Sequence, residues 1–436
     1  MLHTGDRYLR TVLTVAGAFV AAVGGINYTV DPYGIYHDWR IEGLNEIKPQ
    51  AEEHDSLVKA HAIENLRPKG LILGNSRTEV GLDPEHAAFP SSARPVYNAG
   101  LEGTKSATAL RYLKHALTVG SPRLVIVGVD FLNFLVDPAP TVASKQWSRE
   151  VEERGNPVLD QRQRIRDVVD TLFSLDALLD SVKTVIAQTN PYAPDMTRLG
   201  LVTMREYVPI TRRLGYAALF LQKDKDYANY LRGKASANFV QDGRSSPQLE
   251  TLAQLIELSR VHRIQLILVI YPYHAHVLEL LDAAGLWNDF EAWKRELVKI
   301  LAHDAEVHPE STPIPLWDFS GYNLYTTERV PAQNDLTSEM RWYRDPGHFK
   351  KELGDLLLAR VLGSEDQKAA PSTFGVLLNA ANIERGLAHT GAERDRYREE
   401  HPDVLPQMLQ LMGKPISQVR DDPSASLAIR RPQRHN

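Results

Sequence analysis

Two short segments of this chain hold residues whose types and spacing suit nucleophilic chemistry. In LILGNSRTEVGL an apolar run ends directly in Gly74-Asn75-Ser76-Arg77. A serine at the carboxyl end of a parallel strand faces the crevice where such sheets bind ligands, and its own N–H can face a developing oxyanion. In WYRDPGHFKKELGDLLLARVL, Asp345 stands three residues before His348. A carboxylate there can bond one imidazole nitrogen and fix the tautomer, leaving the other nitrogen to accept a serine proton. Each segment also has a plainer reading. Ser76 alone could cap the next helix, and Asp345-Pro346 could be a simple helix entry, with proline in the first turn where its missing N–H costs nothing.

Elements must bring these segments together. From about residue 68, short apolar β-branched runs alternate with longer amphipathic stretches, the pattern of an α/β sheet with helices on its faces. Five strands are expected: Gly70–Gly74, Pro95–Asn98, Arg123–Asp130, Ile264–Tyr271 and Ile314–Phe319. Runs such as LVIVGV and LILVI lack polar alternation, as parallel strands covered on both faces do. Helical patterns lie at about 104–118, 248–262, 277–303 and 349–362. Residues 133–247 read as a helical insertion between the third and fourth strands, placed to overhang the crevice as a lid, a polymer-binding element or a plain packing cap. Past residue 363 the composition turns to Pro, Ser and charge, expected of a surface-wrapping tail with a disordered end.

A serine just after the first strand and an Asp-x-x-His just before the last helix resemble the SGNH, or GDSL-like, hydrolase and acyltransferase superfamily. The resemblance covers about residues 68–362 and implies a three-layer sandwich around a mainly parallel five-stranded sheet, with Ser76, Asp345 and His348 as catalytic residues. Together with an N-terminal anchor, the GNSR and DPGHF blocks look most like the polysaccharide-modifying branch, which includes alginate O-acetylation proteins. That implies an O-acyltransferase acting on an envelope or extracellular polysaccharide through an acyl-serine, supplied by a membrane protein that brings the acyl donor. The alternatives are a carbohydrate esterase or deacetylase, and a non-catalytic carbohydrate-binding scaffold of an export complex. The family's second block falls at YNAGLEG, which makes Gly100 the oxyanion donor, with Asn98 and Gly103 as neighbours. Its third block should end in asparagine, but here the strand reads Gly128-Val129-Asp130-Phe131. An ionised carboxylate cannot donate a hydrogen bond, so Asn133, Asn75 or Asn98 would have to replace it.

Other residues near the strand ends are candidates for substrate contact: Arg77, Asp130, Tyr273, His274, Asp318 and Trp342, with Tyr271 and Tyr343 beside them. Aromatic faces there could stack on sugars or simply pack in the core. His274 and His276 are too few for a metal site without a carboxylate at ligand spacing, so neither metal nor cofactor is expected.

Composition narrows the setting. A formal charge of -5 gives no basic footprint, so nucleic acid is not an expected partner. The chain has no cysteine, which removes disulfides, thiolate metal sites and thiol nucleophiles. Arg7 and Arg10 precede an uncharged stretch from Thr11 to Val30, long enough to cross a bilayer, and acidic residues follow it. The positive flank places the rest of the chain outside: a single-pass inner-membrane protein with its catalytic domain in the periplasm or beyond. A cleaved signal peptide and a buried core helix are the competing readings. The organisation expected is therefore an anchor or signal at 1–30, a juxtamembrane segment at 31–67, the SGNH-like domain at 68–362 with its insertion, and a tail at 363–436.

Overall fold

A computed structural model describes residues 2–135, 161–232, 234, 240–241, 244–363 and 374–415. Parts of the expected insertion (136–160, 233, 235–239 and 242–243) and of the tail (364–373 and 416–436) lie outside the described residues.

Ten strands are described: β1 Gly70–Leu73, β2 Val96–Asn98, β3 Leu124–Val129, β4 Val240–Gln241, β5 Arg244–Ser245, β6 Gln265–Ile270, β7 Leu316–Asp318, β8 Tyr343–Asp345, β9 His348–Phe349 and β10 Val376–Leu378. Six of them form one sheet in the order β10-β7-β6-β3-β1-β2. The β2, β1, β3, β6 and β7 neighbours all pair in parallel, and only β10 runs antiparallel, on β7. The five expected strands are thus present with trimmed ends, and a sixth joins them from the segment read as a tail. Side-chain alternation assigns the two faces. Leu71, Leu73, Val125, Val127, Leu266 and Leu268 enter one buried cluster, while Ile72, Leu124, Ile126, Ile267 and Val269 enter the other. Burial on both faces is the reason these strands read as unbroken apolar runs.

The helical expectations hold at Ser106–Val119, Pro247–Val261 and Lys351–Leu362. The long pattern at 277–303 is two helices, Ala275–Ala284 and Trp287–Val307, divided where Gly285 takes the left-handed conformation that ends the first. The segment at 31–67 is part of the fold. Its helix Asp55–Leu66 packs on Ser106–Val119 and buries Lys59, whose ammonium donates to Glu79 Oε1 at 2.6 Å. Beyond residue 363, helices Ile383–Glu400 and Val404–Leu411 add Leu387, Tyr397 and Met408 to the larger core.

The N-terminal helix, Leu2–Val30, is the one described helix long and apolar enough to cross a membrane. Only 11% of its apolar window is buried, which sets aside the buried core helix. Its last turns do touch the fold, where Val23, Asn27 and Val30 are covered by the helical pair Gln161–Leu172 and Leu175–Ala187.

Candidate active site

β1 delivers the serine. Asn75 follows it as the N-cap of a short helix, Ser76–Gly81, and its Oδ1 accepts the Arg77 N–H at 3.1 Å. Ser76 is therefore the first helical residue. An amide N–H in that position has no acceptor within its own helix, and here no described group takes it.

The histidine arrives differently from expectation. Asp345 and Pro346 do not open the last helix, which begins at Lys351 with Lys350 as its cap. They lie instead at the turn of a small antiparallel hairpin, with Asp345 closing β8 and His348 opening β9. Asp345 Oδ1 accepts the Gly347 N–H at 2.7 Å and the His348 N–H at 3.0 Å, which closes the turn. Helix Lys351–Leu362 then crosses the serine helix closely. A Cβ on Gly354 would lie 1.7 Å from the Gly81 carbonyl oxygen, so glycine at this crossing sets how near the two segments come.

The result is a relay. Ser76 Oγ lies 3.0 Å from His348 Nε2, and His348 Nδ1 lies 2.9 Å from Asp345 Oδ2. Burial pushes the Asp345 carboxyl up, but the adjacent imidazole and the Gly347 N–H outweigh that and hold it below its ordinary value. Asp345 is thus an acceptor for an Nδ1–H, which frees Nε2 to accept from the serine. Asp345 and His348 are buried while Ser76 is half-exposed. The serine opens onto a cleft of about 820 Å³ whose wall includes Asn75, Arg77, Asp130, Asn133, Tyr227 and His348.

Asp130 sits beneath the serine in a closed network. Its Oδ2 accepts from Arg77 Nη1 and, at 2.7 Å, from Asn75 Nδ2, while its Oδ1 accepts from Tyr273 OH at 2.8 Å and the Leu132 N–H at 3.1 Å. Arg77 also donates to Tyr227 OH at 2.8 Å and lies over the rings of Tyr271 and Tyr273. Burial works against its charge, yet Asp130 and the surrounding tyrosines hold the guanidinium pKa above its ordinary value. No sequence signal pairs these residues. Tyr227 comes from helix Tyr216–Arg232 of the insertion, which does overhang the site and brings Lys223, Asp226 and Tyr230 to the cleft.

No family model matches this chain, and no curated protein does.

Several expected contacts lie elsewhere. The Gly100 N–H is taken by Asn98 Oδ1 at 2.9 Å, so it is not available to an oxyanion. Asn98 is fully buried, donates to the Thr78 and Leu82 carbonyls, and braces the serine helix from behind. Asn133 does face the cleft, but its Nδ2 donates to the Thr104 carbonyl at 3.0 Å. Tyr273 is buried behind Asp130. His274 is fully buried against the Glu328 carbonyl and Phe220, with burial and neighbouring His276 driving its pKa down, and His276 pairs with Asp224. Asp318 pairs with Lys294, and Trp342 lies under Arg341 beside Tyr325. None of Tyr273, His274, Asp318 and Trp342 lines the cleft onto which Ser76 opens. For Asp318 the reason is positional: β7 lies three strands from β1, about 14 Å away at ordinary strand spacing.

Proposed function

We propose that this chain is a membrane-anchored, SGNH-type serine acyl enzyme, and specifically an O-acyltransferase that modifies an envelope or extracellular polysaccharide. The observation that carries the reading is the Ser76, His348 and Asp345 relay opening onto a cleft large enough for a sugar unit. His348 Nε2 takes the Ser76 proton as Oγ attacks the donor's ester carbonyl. The tetrahedral oxyanion collapses, the C–O bond to the leaving alcohol breaks, and His348 returns the proton to that alcohol. A sugar hydroxyl, deprotonated by the same nitrogen, then attacks the acyl-Ser76 carbonyl and carries the acyl group away while Ser76 regains its proton.

Donors at hand for the oxyanion are the N–H of Ser76 and the Nδ2 proton of Asn75 that Asp130 does not take, with the second Nδ2 proton of Asn133 on the same cleft wall. Asn75 is held by bonds at both ends of its amide, so it can stand in for the asparagine that Asp130 replaces. An exported catalytic domain would draw its acyl donor from a membrane protein, since activated acyl groups are cytosolic.

Treating the full chain with a serine-reactive phosphonate and mapping the adduct tests the catalytic reading. Label at Ser76 that vanishes in Ser76→Ala is expected, and an unlabelled Ser76 would leave a non-catalytic glycan-binding scaffold. Acyl transfer from a chromogenic ester to an oligosaccharide, set against release to water, then tests transfer. Release to water alone would make the protein an esterase.

A further inference from the structure

The helical pair Gln161–Leu172 and Leu175–Ala187 is built inside out. On Leu175–Ala187 the residues turned into the protein are Ala177, Asp180, Ser181 and Thr184, all but one of them polar. The outward residues include Leu175, Leu179, Val182 and Ile186, each about half to two-thirds exposed (57%, 59%, 48% and 67%), with charged Asp176 and Lys183 exposed along one edge of that face. At 100° per residue these two sets are centred on opposite sides of the helix. The preceding helix repeats the inversion: Asp167 and Thr171 are buried, and Ile165 and Val169 are exposed. A water-facing helix has the reverse arrangement.

The buried polar face is bonded except at Thr184, whose hydroxyl has no partner among the described residues. Asp180 accepts from Tyr33 OH at 2.8 Å, and Ser181 donates to Asn27 Oδ1 at 2.9 Å. Asn27 in turn donates to the carbonyls of Leu172 at 2.9 Å and Ser174 at 3.3 Å, across the bend between the two helices. The pair is thereby fastened to the end of the N-terminal helix, and Gly24 leaves room for Phe173 at that contact.

Position along the N-terminal helix fixes the depth. Its uncharged stretch, Thr11–Val30, measures about 30 Å at the helical rise, the thickness of a hydrocarbon core. Its last turn therefore reaches the edge of that core, and Asn27 with its bonds to the helical pair lies there. Tyr28, Tyr36 and Trp39, aromatic residues of the kind enriched at membrane interfaces, surround the same point.

From this we infer that the 161–187 helical pair is a second, monotopic membrane element, its Leu175, Leu179, Val182 and Ile186 face embedded in the outer leaflet of the lipid bilayer. The inference rests on the reading that Gly5–Val30 spans that bilayer. The pair packs on the end of that span and is bonded to it through Asn27, and lipid is the occupant that would cover both apolar surfaces. The consequence reaches the active site. Helix Pro49–Glu53 packs on Leu175–Ala187 and supplies Glu52 and Glu53 to the cleft, so the cleft is held within about one helix diameter of the membrane. A donor presented by a bilayer protein would then need to travel little.

The absence of native cysteine makes the test direct. The full chain, carrying one environment-sensitive fluorophore at L179C, I186C, L13C or V307C, is reconstituted in phosphatidylglycerol/phosphatidylcholine vesicles. Val307 is an exposed apolar residue on another helix and serves as the aqueous reference. The expected result is a blue-shifted emission at positions 179 and 186 that is lost to nitroxide-bearing lipid and spared by iodide, as at position 13, with the opposite at 307. Iodide quenching at 179 and 186, with position 13 still in lipid, overturns the embedded pair and leaves the anchor standing. Iodide quenching at 13 as well means the anchor reading itself has failed. Protection of 179 and 186 from both quenchers, with energy transfer between labelled copies, also overturns the inference, because the face would then be covered by a second copy.

Discussion

Two buried carboxylates flank Ser76, and they do opposite things. Asp345 bonds to His348, whose ring can gain and lose a proton; Asp130 bonds to Arg77, whose guanidinium cannot. The first pair can therefore move charge during a reaction, while the second can only hold a position. The difference also appears in cost. An ion pair buried beneath the serine loses hydration on both partners, and it persists because Asn75, Tyr227, Tyr273 and the Leu132 N–H complete its bonding. Within that network Asp130 accepts from Asn75 Nδ2 and so fixes the orientation of the amide beside the serine.

The largest effect that would sharpen this contrast is at Ser76. Ser76→Ala should lower acyl transfer by about 10⁴-fold or more with the fold intact by circular dichroism; a loss under tenfold would remove Ser76 from the chemistry. Asp345→Asn should cost about 10⁴-fold in kcat, because an amide no longer selects the Nδ1–H tautomer. Steady-state kinetics check it, and the two carboxylates would stop being distinguishable if Asp130→Asn cost kcat as much with stability unchanged. Asp130→Ala should instead show in denaturation, losing about 3 to 5 kcal/mol by leaving the Arg77 charge buried without its partner. Adding Arg77→Met to Asp130→Ala should recover part of that loss, which denaturant titration would measure.

The chemistry that was legible in the sequence was local or periodic. Ser76 follows an apolar run that could only be a covered strand, and Asp345 and His348 are three residues apart, so no tertiary knowledge was needed to pair them. Arg77 and Asp130 are 53 residues apart and Arg77 and Tyr227 are 150 apart, and nothing in either segment points to the other. β10 was missed because three residues on a sheet edge, two of them exposed, carry no periodic signal. Tyr273, His274, Asp318 and Trp342 lie off the cleft for one shared reason: adjacency to a strand end does not say which strand neighbours the serine, nor which way a side chain turns after the strand stops. The inside-out helices were visible only as apolar periodicity, since periodicity locates a face but not what covers it.

Glu52 extends the comparison to a carboxylate with neither kind of partner. It sits on the cleft wall with its Oε2 buried and unbonded among the described residues, and burial, then the charges of Glu206 and Glu79, push its pKa up to about 8 from 4.5. A folded-state pKa raised in this way favours the protonated acid. Its contribution to stability is fully present below about pH 4.5 and is lost as pH rises through about 8. Glu52→Gln keeps the shape and cannot ionise, so its melting temperature should match that of the unaltered chain at pH 4 and exceed it by about 2 °C at pH 9. The gain is small because Glu52 is partly open to solvent, which screens its neighbours. Exposed Glu53→Gln, one residue away, should show no such pH-dependent gain. Thermal melts at the two pH values decide it: an equal shift at both would mean that Glu52 is ionised in the folded protein throughout, and that some group in the cleft serves it as Arg77 serves Asp130.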